Sequence, residues 1–133
     1  MIISDAELRD LSDEILENHR VISVDTEFVR FRDGSVKLCL MQIAYGEDMA
    51  LIDPFVCDIR NIQDVFHSEE IIKIFHASKQ DLSVLKMYDF NVQNVFDTQI
   101  AEYVLCSRGS VGYRHLVSKY LHIQINKIGR AHV

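Results

Sequence analysis

At 133 residues, with 48% hydrophobic content and a mean hydropathy of +0.02, the chain is long enough for one globular domain and too apolar for a disordered tail. A formal charge of −6 weighs mildly against a nucleic-acid partner, because phosphate binding is usually driven by a basic surface. Apolar runs such as "LCLM" fall far below the roughly 18 residues of a membrane span, and no basic-then-apolar leader opens the chain, so a cytoplasmic protein is expected.

Ser4 and Glu7 form a capping-box pattern, and Leu8, Leu11, Ile15 and Leu16 follow at helical spacing, so an amphipathic helix is expected first. Much of the acid lies on its solvated face. Three strands should follow, "VISVDTEF", "KLCLMQIAY" and "MALIDP", joined by "RDGS" and "GED", whose Asp-Gly and Gly steps suit hairpin connections. After Pro54, the only proline, Ile59, Ile62, Val65 and Phe66 share one helical face. "IIKIFHA" then reads as a buried strand, "SKQDLSVLKMYDF" as a helix and "VQNVFD" as a short strand, with helices from about Thr98 to Cys106 and Tyr113 to Leu121. This order predicts an α/β fold with a mixed sheet: three antiparallel strands, then strands alternating with helices.

Strand alternation places Asp25 and Glu27 on one side, with Val24, Thr26 and Phe28 on the other. Two like charges so close are tolerable beside a cation, and oxygen-only donors suit Mg²⁺ or Mn²⁺; a solvated strand end is the plainer alternative. Asp81 falls in the first turn of a helix that follows a buried strand. It is either a third acid of the same site or the partner of Ser78 in a capping box, since Ser78-x-x-Asp81 fits that pattern. Asp97 also precedes a helix, where the cap is the favoured reading. Cys39, Cys57 and Cys106 are odd in number and widely spaced in apolar stretches, which points to reduced thiols.

Taken in order, "VISVDTEFVR", "LCLMQIA", "ALIDP", "KIFHASKQDLSVL", "VFDTQIAEYVL" and "SVGYRHLVSKYL" resemble the exonuclease domain of the ribonuclease D family, which belongs to the DEDD exonucleases with a ribonuclease H-like fold. The resemblance runs from the first helix to about Lys127. It implies 3'-5' exoribonuclease activity on RNA 3' ends, tRNA precursors among them, by hydrolysis with two divalent ions, Mg²⁺ or Mn²⁺, about 4 Å apart. Asp25 and Glu27 then match the first exonuclease motif and Asp81 the acid of the second. Asp25 would bridge the ions, Glu27 would hold the one that activates the nucleophile, and Asp81 would orient water on the other. Thr26 and Phe28 are implied contacts of the 3'-terminal nucleotide, through backbone and ring, and His76, which matches a position beside the second motif, is implied as a further substrate contact. Asp97 matches a family Asp that is not a metal ligand.

The family's third motif, Tyr or His followed four residues later by Asp, is not found: Tyr103, Tyr113 and Tyr120 are followed at that distance by Ser107, Val117 and Gln124. Residues 128–133, "IGRAHV", back-translate as ATC GGA AGA GCA CAC GTC, a common sequencing-adapter read. The expectation is therefore a partial exonuclease domain over residues 1–127 with a non-native tail over 128–133. Such a chain should be weak or inactive alone, and should expose apolar faces that favour self-association. A Werner-type DNA exonuclease and an inactive nucleic-acid-binding fragment are the alternatives. DNA remains a possible substrate, because contacts to the RNA 2'-hydroxyl are not legible here.

Overall fold

The computed structural model describes residues 4–107 and 109–126. The chain divides into two compact units, one running to Thr98 and one from Gln99 onward. The expected tail over 128–133 lies outside the described residues.

The first unit opens with α1 (Asp5–Asn18), started by the predicted capping box: Ser4 Oγ accepts from the Glu7 amide, while Glu7 Oε2 accepts from the Ser4 amide at 3.0 Å. Three strands follow: β1 (Val21–Arg30), β2 (Val36–Tyr45) and β3 (Asp48–Ile52). They pair antiparallel in sequence order, as the Gly-containing turns predict. Gly46 in the second turn has φ +57°, and a Cβ there would lie 3.1 Å from the His19 ring, so both conformation and space call for glycine.

Next come a 3-10 turn (Ile59–Ile62) and the short helix α2 (Gln63–His67). Then follow β4 (Ile72–Phe75), α3 (Lys79–Met87), β5 (Val95–Asp97) and the start of α4 (Thr98–Cys106). β4 is parallel to β1, and β5 is parallel to β4. The sheet order is β3-β2-β1-β4-β5, a mixed α/β sheet of the kind expected.

One face of β1 carries Ile22, Val24 and Thr26 into the core, while Ser23, Asp25 and Glu27 face outward. β2 holds Leu38, Met41 and Ile43 against the same core although Leu38 and Met41 are three residues apart. The register explains this: Glu27 pairs with Leu40 and Phe28 with Leu38, so Cys39 is the extra residue of a β-bulge. Leu8, Leu11 and Ile15 of α1 join Ile59, Ile62, Val65 and Phe66 in the same cluster, so the helical face read after Pro54 is buried as a 3-10 turn and a short helix. β4 adds Phe75 and, unexpectedly, Lys73, which is 0% exposed and donates through Nζ to the Ser68 carbonyl. Cys57 is buried, Cys39 and Cys106 are half-buried, and all three are free thiols.

In the second unit the rest of α4 and α5 (Tyr113–Leu121) meet through polar groups. Glu102, only 4% exposed, accepts from Lys119 Nζ at 2.5 Å and from the Tyr120 hydroxyl at 2.6 Å. Tyr103, Val104 and Leu105 are exposed. No helix among the described residues is long and apolar enough to cross a membrane.

Candidate active site

β1 and β4 run parallel, and their ladder extends only from Val21↔Ile72 to Ser23↔Ile74. Past Ser23 the ladder stops, and α3, the helix that follows β4, packs on β1 and β2. The carboxyl ends of parallel strands are where open α/β sheets place ligands, because the following turns converge there. Asp25, Glu27, His76 and Asp81 all come from this end of the sheet.

Asp25 and Glu27 share the outer face, opposite Gln42 and Leu40 of β2. Gln42 Nε2 donates to Asp25 Oδ2 at 3.1 Å. Asp25 is exposed as a residue, yet packing strips water from its carboxyl and the charges of Asp81 and Glu27 add to the effect, so its pKa is pushed above the usual carboxylate range. The Thr26 amide offsets this in part. The structure thus places Asp25 where the charges of the other two sequence-selected acids, Asp81 and Glu27, act on it.

Asp81 does not use its charge locally. In a capping box it would accept from the Ser78 amide, but that amide donates to Asp97 Oδ2 at 2.7 Å. Ser78 itself makes no side-chain cap bond. Asp81, 9% exposed, instead accepts the Thr26 hydroxyl proton at 2.5 Å. Of the two roles the sequence left open, the capping box is not the one formed.

The remaining candidates are placed as follows. Thr26 is buried, with its hydroxyl committed to Asp81. The Phe28 ring is half-buried and packs against the core cluster. His76, just past β4, has Nδ1 2.8 Å from the Thr98 hydroxyl. Asp97, expected to cap the helix it precedes, accepts from the amides of Ala77 and Ser78 at the entrance to α3. Gln42 was not singled out from sequence, and its cross-strand pairing with Asp25 is a consequence of register that no local pattern announces.

All-oxygen donors carrying uncompensated negative charge fit a hard divalent cation in chemistry. They do not form a finished cage: among the described residues no three carboxylates, imidazoles or thiols are gathered closely enough to hold a metal. Gln42 and Thr26 tie Asp25 and Asp81 to separate partners.

The family model for 3'-5' exonuclease matches residues 1–131. The chain belongs to this 3'-5' exonuclease family. Ribonuclease D of Zymomonas mobilis subsp. mobilis is 39% identical over 113 residues, covering 82% of this chain and 29% of the relative. The crystal structure of Escherichia coli RNase D, described as an exoribonuclease involved in structured RNA processing, superposes with a TM-score of 0.88 at 29% identity, covering 100% of this chain and 38% of that one. Brucella melitensis NrnC with bound Mg²⁺ superposes with a TM-score of 0.66 at 26% identity, over 80% of this chain and 56% of that one. The chain spans about three tenths of the length of the curated relatives it matches.

Proposed function

We propose that this chain is the nuclease portion of a 3'-5' exoribonuclease of the ribonuclease D type, which removes nucleotides from RNA 3' ends. tRNA precursors are the proposed substrates. Residues 1–127 are read as part of one exonuclease domain whose third motif is not in this sequence, and 128–133 as non-native. The compartment proposed is the cytoplasm.

The observation that carries this reading is that Asp25, whose carboxyl feels the charges of both Asp81 and Glu27, lies on the outer face of β1 beside the Thr26–Asp81 hydrogen bond, in a chain whose family model covers residues 1–131. These three carboxylates are the proposed ligands for Mg²⁺ or Mn²⁺. Bound divalent ions supply charge stabilisation for the attacked phosphate and the leaving oxygen, together with an activated water.

The chain's own groups supply the rest. Gln42 fixes one oxygen of Asp25. Thr26 fixes Asp81 in the same manner, and the half-buried Phe28 ring offers an edge against a terminal base. Thr26 would meet substrate through its backbone, and His76 from the end of β4. With three acids rather than four, this chain alone is expected to hold metal weakly and turn over slowly.

The test is incubation of excess chain with 5'-labelled single-stranded RNA and Mn²⁺, beside a DNA strand of the same sequence. A ladder shortening stepwise from the 3' end, lost in Asp25→Asn, supports the reading. Internal cuts, or an equal ladder from Asp25→Asn, overturn it. Preference for the DNA strand would move the assignment to a DNA exonuclease.

A further inference from the structure

We propose that Asp97 is a positioning residue for Asp81, acting through the turn that joins β4 to α3. The proposal rests on Asp81 belonging to the metal site.

The turn is constrained in a manner the local sequence does not support. Ala77 sits at φ +57°, a left-handed conformation that a Cβ disfavours. Ser78 begins α3 without a side-chain cap of its own. Both amides precede the first turn of α3 and have no acceptor within the helix, and both find one carboxylate: Asp97 Oδ1 accepts from Ala77 at 3.1 Å and Oδ2 from Ser78 at 2.7 Å. A bidentate carboxylate from the neighbouring strand therefore holds the backbone three and four residues before Asp81.

Thr98 adds a second tie. Its hydroxyl donates to the Phe75 carbonyl at 3.2 Å and lies in a hydrogen bond of 2.8 Å with His76 Nδ1. The consecutive residues Phe75, His76, Ala77 and Ser78 are thus each bonded to Asp97 or Thr98.

The consequence falls on Asp81. The usual acceptor for the Ser78 amide would be Asp81 itself, and a carboxylate used that way points back along its own helix. Because Asp97 takes that amide, Asp81 turns to β1 and meets Thr26, beside Asp25. Partners that orient ligands in this manner typically change metal affinity by about 10–100-fold when removed.

The test is Mn²⁺ affinity of the chain, measured by electron paramagnetic resonance titration, for wild type, Asp97→Asn, Asp81→Asn, the double variant and Leu11→Ala. Leu11 lies in the core face of α1, so its truncation lowers stability away from the turn. The expected result is about tenfold weaker binding in Asp97→Asn, no further loss when it is added to Asp81→Asn, and unchanged affinity in Leu11→Ala at a temperature where it is folded. If Asp97→Asn does not fold, Asp97→Glu, which keeps both acceptors but displaces them by one methylene, is read in the same cycle.

Unchanged affinity in the folded Asp97 variant, an equal loss in the Asp81→Asn background, or an equal loss in Leu11→Ala overturns the positioning role. If Asp81→Asn alone leaves Mn²⁺ affinity intact, it is the assignment of the metal site that fails.

Discussion

Thr26 and Asp81, 55 positions apart in sequence, share a buried hydrogen bond of 2.5 Å that couples the first strand to the third helix. The strand contributes its outward acids and the helix its inward one, so this bond fixes the relation between the two proposed sources of metal ligands. Thr26→Val keeps the shape and removes the donor. Bonds to a charged group contribute about 1.5–3 kcal/mol, and a loss of that size is expected in urea denaturation, with Thr26→Ser recovering most of it.

Asp25 carries the opposite signature, a carboxyl whose charged form the fold disfavours. Because its pKa is higher folded than unfolded, the native state holds the proton more tightly, and stability falls as pH rises through the carboxylate range toward the folded value. Asp25→Asn should therefore raise the melting temperature at pH 7 without divalent ions, and the gain should vanish in acid. Added Mg²⁺ should stabilise wild type more than the variant. Melting curves at acidic and neutral pH, with and without Mg²⁺, check all three.

Lys73 on β4 is 0% exposed, and desolvation brings its pKa down to about 8. The unfolded chain binds the extra proton between that value and the usual lysine range, so stability should rise with pH across this window. The total is roughly 3 kcal/mol for a shift of this size. Lys73→Met should flatten the rise and leave the protein more stable at neutral pH, as urea midpoints at pH 7 and pH 10 would show.

Glu102 is held at a pKa of about 2 by the Lys119 ammonium and the Tyr120 hydroxyl. A depressed carboxylate stabilises above its unfolded pKa and loses that contribution as pH falls through the folded one. Protection of α4 and α5 amides from hydrogen exchange, taken relative to the intrinsic rate at each pH, should accordingly stay high at neutral pH and fall as acid approaches that value. Glu102→Gln should show low protection throughout and leave the β1 amides unchanged.

Most of the fold was legible because its signals are local. Ser4 and Glu7 announce α1, Gly46 turns β2 into β3, and the Thr98–Cys106 and Tyr113–Leu121 helices fall where periodicity puts them. The features that escaped are those set by distant partners. Ser78-x-x-Asp81 has the pattern of a capping box, but Asp97 takes the Ser78 amide, and no window around Ser78 contains that fact. The bulge at Cys39 is invisible in a run of apolar residues, and it is what lets Leu38 and Met41 face one core. Lys73 sits in the strand read as buried, but that its ammonium would be buried with it, donating to the Ser68 carbonyl, is not announced by the local sequence. The acids themselves were legible, while Gln42 as the partner of Asp25 required the register of β2.

The central claim, that Asp25, Glu27 and Asp81 form one divalent-cation site, is tested most directly by Mn²⁺ titration followed through paramagnetic broadening of backbone amide resonances. Broadening that begins at Asp25, Glu27 and Asp81 at low Mn²⁺, and disappears in Asp25→Asn, is the predicted result. Broadening spread over the exposed acids of α1, such as Asp10, Asp13 and Glu17, and indifferent to Asp25→Asn, would contradict it.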